Sequence, residues 1–550
     1  MCILCVQGKP QDHSGSPSGS QLGRRDFLKA STATVAAASA AGMSLFAARP
    51  AAAHDDDDAP RDSGRRDRRY VIRGGHVMTM DLSMPNKGEF PNADVLVEGK
   101  KIKEVGPNLH AGGADEIDAR GKIVMPGFVD THHHQFETAL RSFLADGLLF
   151  PDGLPHGAIN YFQYILGTFA GVYRPRDVHI SELFGSLSQL DAGVTTSHDI
   201  SQIHYSKDHS VAAIKGSADS GRRIVFGFFE GARADLLGSP TGPGGEPAWY
   251  PGGATELRDQ FFSSGDQLMT MSMGGEIYLL GDRNDTTPRT YHSAWTIGRR
   301  LGIPIAAHIV GSFGMGPEFD KIAQNTIKDA PNTTKFGADN LFIHMTGMSD
   351  FSWDQVKAVG AGVSLAVPIE MNMRHGTPPI LKTLEKGIPP SLSVDVEVTL
   401  TADMFTQMRS AMNLQRMFMN AKALGEPYAT GFPNQELLTT RDVLRFATIE
   451  GARDLRLDGK TGSLTPGKEA DIIILDAEAI NVHPLNVVPG AVVSLMDRSN
   501  VETVIVAGKV RKWKGKLLDV DLPHLRRQLE ASRDFLFRAA KIDQDLFRPN

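Results

Sequence analysis

The chain has almost no cysteine. Its 550 residues include two, Cys2 and Cys5, both at the very start. A disulfide framework or a thiolate-rich metal site cannot organise the body of such a protein. A surplus of positive charge is also missing: 58 Lys and Arg stand against 64 Asp and Glu, a net charge of −6. A nucleic-acid binder carries a basic patch, and this balance does not supply one. Long apolar runs are absent too. The best candidate, residues 30–48, is short and rich in alanine, whereas a membrane span needs about 20 strongly apolar residues. No permanent membrane anchor is expected. What remains is 41% hydrophobic and 22% charged, the composition of a folded, soluble chain. This length accommodates a large barrel of about 250 residues or more beside a second module.

Gly23-Arg-Arg-Asp-Phe-Leu-Lys29 precedes the alanine-rich stretch, and Ala51-Ala-Ala53 follows it. Together they resemble a twin-arginine export signal over residues 1–53, cut after Ala53. The resemblance implies the twin-arginine export machinery as a partner and a periplasmic or extracellular destination. Cleavage would remove both cysteines. It would also remove five basic and two acidic residues, leaving 53 against 62 and a net charge of −9. Any metal in the mature chain must then be held by His, Asp or Glu. Residues 54–68, an acidic run followed by arginines, are expected to be a disordered, solvated linker.

From residue 69 the pattern is strand-like, with Gly turns. Residues 69–125 are expected to form the N-terminal part of a small β-sandwich, and residues 456–516 its C-terminal part. Between them, over 126–455, strand and helix signals alternate. Strand signals fall at 128–134, 194–199, 223–229, 267–273, 303–308, 341–344, 361–367 and 391–395. Helical stretches separate them, at 177–191, 209–221, 255–264, 290–301, 316–330, 352–359 and 379–386. Such alternation implies parallel pairing with right-handed crossovers. Eight units are the count of a closed (β/α)8 barrel. The expected fold class is α/β: a TIM-type (β/α)8 barrel with a β-sandwich made from both chain ends. Residues 517–550 add a C-terminal amphipathic helix.

The chemistry concentrates where the barrel strands end, which is where barrel active sites lie. Strand one ends in Asp130-Thr-His-His-His134. Alternate strand residues share a face, so His132 and His134 point together. Strand five ends in His308, strand six in His344 and strand eight in Asp395. Three imidazoles and a carboxylate suit Zn²⁺, or Fe²⁺ or Mn²⁺. A catalytic site keeps a position open for water, whose pKa the ion lowers to about 7.

Four segments carry a family resemblance: Pro126-Gly-Phe-Val-Asp-Thr-His-His-His134, Ala192-Gly-Val-Thr-Thr196, Gly302-Ile-Pro-Ile-Ala-Ala-His308 and Gly462-Ser-Leu-Thr-Pro-Gly-Lys-Glu-Ala-Asp471. Over about residues 70–516 the chain resembles the amidohydrolase superfamily, in its branch of cytosine deaminases and chlorotriazine hydrolases. The resemblance implies His132, His134, His308 and Asp395 as metal ligands. It makes Asp395 the general base and has His344 polarise the substrate or steady the attacking oxygen. Asp130 is expected to orient a ligand or a loop.

One departure stands out. In that branch a Glu follows the strand-five histidine by three residues and moves protons. Here Gly311 stands in that place, in His308-Ile-Val-Gly311. Hydrolysis of an amide or cyclic amide, in which Asp395 alone moves the proton, gains on ring deamination. One ion is expected. The two-ion alternative uses Glu276 as a bridge and His344 as a ligand, and no Lys at the end of strand four offers a carbamylated bridge. Weaker pocket candidates are His156, His198, His204, Arg374 and His375, with His133 pointing away. The aromatic residues of 150–169 offer a lid or pocket wall. The expected function is an exported, metal-dependent hydrolase of a non-peptide carbon–nitrogen bond in a small molecule: a cyclic amide, an amidine or an aminated heterocycle. The alternatives are a dehalogenating hydrolase of triazine-like rings and an inactive binding protein on the same scaffold. Self-association into a homo-oligomer is compatible with either.

Overall fold

The computed structural model describes residues 59–60 and 62–548, apart from 232–247, 278–289, 328–329 and 425–436. The export segment, both cysteines and the acidic run lie outside the described residues. No helix among the described residues is long and apolar enough to cross a membrane.

Five strands come first: β1 (Arg69–Met78), β2 (Glu89–Glu98), β3 (Lys101–Gly106), β4 (Asp115–Asp118) and β5 (Lys122–Pro126). Eight follow: β6 (Phe128–His133), β7 (Val194–Ser201), β8 (Arg223–Phe228), β9 (Met269–Gly274), β10 (Ile305–Val310), β11 (Asn340–Thr346), β12 (Gly362–Leu365) and β13 (Ser391–Leu392). The last four are β14 (Ile472–Asp476), β15 (Val501–Val506), β16 (Lys509–Trp513) and β17 (Lys516–Leu517).

Strands β6 to β13 pair in sequence order as an eight-stranded parallel sheet. A parallel bridge between His133 and Asp395 brings its two ends together, so the barrel closes at the site itself. The strands read as near-continuous apolar runs because both faces are covered; every residue of Arg223–Phe228 is buried.

The remaining nine strands form one mixed sheet, in the order β17-β16-β15-β14-β5-β1-β2-β3 with β4 on β1. Both chain ends meet where β14 pairs antiparallel with β5, from Ile472 opposite Pro126 to Asp476 opposite Lys122. A bridge from Lys101 to Glu469 curls the sheet around its own core of Tyr70, Ile72, Val95, Ile472, Ile474 and Ile505. Gly127 links β5 to β6. A Cβ there would lie 2.2 Å from the Thr195 side chain, so only glycine lets the chain cross from sheet to barrel.

The tract expected to be solvated docks instead from Ser63 onward. The Ser63 hydroxyl accepts from Val510 N at 3.0 Å, and Arg68 O accepts from Gly99 N at 2.8 Å. Backbone pairing to a sheet edge overrides the charge pattern. The C-terminal helix, Leu522–Ala540, packs on helix Pro175–Asp191. Its Phe537 ring meets Phe143 and Phe169 at 5.2 and 5.0 Å, and Ser532 donates to Asp177.

A buried polar layer lies behind β6. Arg222 donates to the side-chain oxygens of Gln189, Gln135 and Ser186. Gln135 also donates to Glu182 and Asp199. Burial first, then mutual repulsion, raises the Glu182 carboxyl well above its ordinary value; burial moves Asp199 to about 6. Both folded values lie above the unfolded ones. Their contribution is therefore complete at low pH and is lost as pH rises through about 6 and beyond. Glu182→Gln removes one of the two charges. Thermal melts at pH 6 and pH 9 should show the variant gaining on wild type by about 1–3 kcal/mol at the higher pH. An equal offset at both pH values would show that the pair does not titrate.

Candidate active site

The site is built on β6. Asp130 and His132 are fully buried and His134 is 3% exposed. Asp130 Oδ1 accepts from His132 N at 3.3 Å and from Val394 N at 3.1 Å, while Oδ2 accepts from Gln189 at 2.5 Å. One carboxylate thus ties the first strand to the segment that presents Asp395. Burial lifts it to about 7. The backbone pairing continues in both directions: Asp395 N donates to His132 O, and His134 N donates to Asp395 O. His133 points the other way, as its place between the two predicts.

The ligand atoms converge. His132 Nε2 lies 3.0 Å from both His134 Nε2 and His308 Nε2. Asp395 Oδ1 is 3.5 Å from the Nε2 atoms of His132 and His134. Its other oxygen, Oδ2, is 3.5 Å from His344 Nε2. The groups His132–His134–His308 and His132–His344–Asp395 each have the spacing to hold a metal ion. Around a tetrahedral ion with bonds of about 2.0–2.1 Å, neighbouring nitrogens lie roughly 3.3 Å apart.

The hydrogen-bond pattern also fits a cation. His134 Nδ1 faces the Ile200 carbonyl at 2.7 Å, and His308 Nδ1 faces Glu276 Oε1 at 2.6 Å. Carbonyl and carboxylate oxygens only accept, so each Nδ1 carries the proton and each Nε2 presents a lone pair. Burial, then the neighbouring imidazoles, hold His132, His134 and His344 well below the ordinary histidine value, so they stay neutral. Burial pulls on His308 too, but the Glu276 carboxylate outweighs it and makes this ring more basic. Several lone pairs and a carboxylate facing one point at 3.0–3.5 Å fit a divalent ion.

Glu276 does not bridge. Its Oε1 takes the His308 ring proton and its Oε2 accepts from His308 N at 3.1 Å, so both oxygens serve the ligand from behind. Glu370 does the same for His344, with Oε1 3.1 Å from Nδ1 and 2.9 Å from Ala366 N. No strand-end signal marks Glu370. It sits in the short helix Val367–Asn372, and only the fold brings it to a histidine 26 positions earlier. Glu137 was also invisible to strand-end reasoning. It is fully buried one turn beyond His134, and Tyr161 donates to its Oε1. Backbone at positive φ clusters here, +71° at both His344 and Asp395, as strained functional residues do.

The weaker candidates separate. His198 is a strut: Nδ1 faces Thr131 O at 3.1 Å and Nε2 the Ser272 hydroxyl at 2.7 Å. Strand β7 runs on to Ser201, so His198 lies inside the barrel rather than at its mouth. His204 is likewise held at both nitrogens, by Ser210 and Gly227 O. Arg374 is exposed and pairs with Asp152 at 2.8 Å. His156 lies in the turn Pro155–Ala158, and its side chain falls outside the described residues. His375 does reach the site: it is 4% exposed, with Nε2 3.9 Å from Asp395 Oδ2. Of the aromatic stretch, Phe150 and Phe162 cluster with Phe313, while Phe169 is core.

The chain is similar to known proteins in sequence and in fold. A 5'-deoxyadenosine deaminase of Methanosarcina acetivorans is 27% identical over 456 residues, covering 82% of this chain and 94% of that protein. A 5-methylthioadenosine/S-adenosylhomocysteine deaminase of Symbiobacterium thermophilum is 27% identical, covering 80% and 93%. Among solved structures, an adenosine deaminase from Xanthomonas campestris with bound zinc superposes at a TM-score of 0.69. It is 21% identical and covers 86% of this chain and all of that one. An atrazine chlorohydrolase from Arthrobacter aurescens with zinc gives 0.63 at 18% identity, covering 84% of this chain and 100% of that one. At these identities the structures speak for the fold. The amidohydrolase family model matches residues 123–511, which takes in every strand of the barrel and both flanks of the site, and the chain belongs to the amidohydrolase family.

Proposed function

We propose that this protein hydrolyses a non-peptide carbon–nitrogen bond in a small molecule with the help of one zinc ion. The observation that carries the reading is the convergence of the His132, His134 and His308 Nε2 atoms with Asp395 Oδ1, the His134 and His308 nitrogens kept as lone pairs by Ile200 O and Glu276. These four residues would hold the ion. When bound, it supplies the positive charge that makes water nucleophilic at neutral pH.

The chain's own groups account for the rest. Asp395 Oδ1 faces the ligand cluster and Oδ2 faces His344. A water entering there loses its proton to Asp395 as its oxygen adds to an sp² carbon. The carbon–nitrogen bond then breaks, and Asp395 returns the proton to the departing nitrogen. His344, neutral and braced at Nδ1 by Glu370, presents the Nε2 lone pair 3.5 Å from Asp395 Oδ2, where it accepts a hydrogen bond from the entering water and orients it. A cyclic amide opens to a single product that carries both an acid and an amine, an amidine gives an amide and ammonia, and an aminated heterocycle gives an oxo-heterocycle and ammonia.

Two substrate classes follow. The curated relatives are named as deaminases of adenosine-type molecules, which favours an aminated heterocycle. Gly311, with no acid to protonate a ring, favours a cyclic amide. Purified protein should contain about one zinc per chain, and His308→Ala should lose it. Assay of the zinc-loaded enzyme on 5'-deoxyadenosine for ammonia, and on dihydrouracil for ring opening, separates the classes. Chloride release from atrazine without amine release would replace both. A His308→Ala protein with full zinc would overturn the ligand set.

We further propose export by the twin-arginine route to the periplasm or beyond, on the strength of Arg24-Arg25 and Ala51-Ala-Ala53. Changing both arginines to lysine should leave the protein inside the cell. Unchanged export would refute the route.

A further inference from the structure

The place where an acid is missing is filled by backbone. A Cβ on Gly311 would lie 2.6 Å from the Thr346 carbonyl oxygen and 3.2 Å from Gly347 Cα. No side chain fits there, acidic or otherwise, without moving β11. Gly311 N donates to the Thr346 hydroxyl at 3.1 Å, and that hydroxyl donates to His375 O at 2.9 Å. On the far side stands Gly376, at φ +135°, where a Cβ would lie 2.9 Å from Thr346 Cβ. Three segments from three different strand ends therefore touch through a single buried threonine, because two of the contacts are made by glycine.

The joint has a consequence for the site. It seats the turn after helix Val367–Asn372, and His375 N is fixed further by Glu370 O at 3.1 Å. The His375 ring then lies 4.7 Å from the His344 ring, with Nε2 3.9 Å from Asp395 Oδ2. The nitrogens of His198 and His204 are all taken by the protein. In His375 the Nδ1 atom is buried without a hydrogen-bond partner among the described residues, and Nε2 stands beside the carboxylate that handles the water.

We propose that His375 is a substrate-contacting residue, hydrogen-bonding the heteroatom attached to the attacked carbon, and that the Gly311–Thr346–Gly376 joint is the device that places it. This rests on the hydrolase reading above. The joint narrows the substrate to one whose reacting carbon carries a polar neighbour on the His344–His375 side. It also turns Gly311 from a missing acid into the space a different residue needs. Thr346 and Gly311 are positioning residues; of these three, His375 is the one that touches the substrate.

The test uses zinc-loaded full-length protein, with 5'-deoxyadenosine and dihydrouracil as probes. His375→Asn should keep its zinc and its melting temperature and lose about 100-fold in kcat/KM on whichever probe wild type turns over. Thr346→Val should share that loss, and Thr346→Ser, which keeps the hydroxyl, should restore wild-type kinetics. A crystal structure of Gly311→Ala should show Thr346 and the 374–376 turn displaced, with His375 withdrawn from Asp395. Wild-type kcat/KM in His375→Asn, or loss of its zinc, would overturn the contact. His375 still within about 4 Å of Asp395 in Gly311→Ala would overturn the joint. If wild type acts on neither probe, the hydrolase reading is what fails for those substrates, and the Gly311→Ala structure decides the joint independently.

Discussion

Asp395→Asn should retain most of its zinc and lose turnover by at least about 1,000-fold, a barrier increase of about 4 kcal/mol. The substitution is nearly isosteric. The amide oxygen can occupy the Oδ1 position, 3.5 Å from the Nε2 atoms of His132 and His134, so the ion keeps a fourth ligand. The other oxygen becomes an NH2 facing His344 Nε2, where Oδ2 now stands at 3.5 Å. An amide cannot take a proton from water at neutral pH. Asp395 Oδ2 faces His344 rather than the ligand cluster, so the carboxylate keeps an oxygen with which to take a proton and give it back. Glu276→Gln provides the contrast. It weakens the brace behind His308 without touching the proton path, so zinc affinity should fall 10–100-fold while excess zinc restores the rate. Parallel metal analysis and steady-state kinetics on the two variants separate ligand from base. Turnover by Asp395→Asn within tenfold of wild type, at full zinc, would remove Asp395 from proton transfer.

What could be read from the sequence depended on range. His132 and His134 share a face because a strand repeats every two residues, and that needs no knowledge of the fold. His308, His344 and Asp395 were legible once the strand count reached eight, since barrel sites lie at strand ends. Glu276 was visible as an acid near β9. Its role was not, because that depends on how β9 pairs with β10, with Ile305 opposite Met273. That register turns both carboxylate oxygens to His308. His198 failed for the reverse reason: the strand signal stopped at residue 199, while β7 runs to Ser201 and draws the ring inside. The role of Gly311 was hidden as well. A sequence shows that a side chain is missing, but the 2.6 Å approach of the Thr346 carbonyl that forbids one is a property of packing.

Arg223→Met should cost about 3–5 kcal/mol of stability, the largest effect expected of any change outside the site. Arg223 opens β8 and its side chain is 1% exposed. Its Nε donates to Asp471 Oδ2 at 2.7 Å, and Nη2 reaches Glu469 Oε2 at 2.6 Å and Asp471 Oδ1 at 3.1 Å. Burial works against the charge, yet the two carboxylates outweigh it and raise the guanidinium further. Asp471 leads into β14 and also accepts from Ala507 N at 2.7 Å and Thr461 at 3.0 Å. One buried cation therefore fastens the barrel to the mixed sheet through residues about 250 positions apart. Methionine fills much of the volume but leaves Asp471 buried without its counter-charge and Glu469 with only Lys100, 3.3 Å away. Urea denaturation of the variant beside wild type measures the loss. Adding Asp471→Asn and Glu469→Gln to Arg223→Met should recover part of the loss, because the penalty lies in the unpaired charges rather than in the missing bonds. No recovery in the triple variant would mean that packing at Arg223 matters and its charge does not.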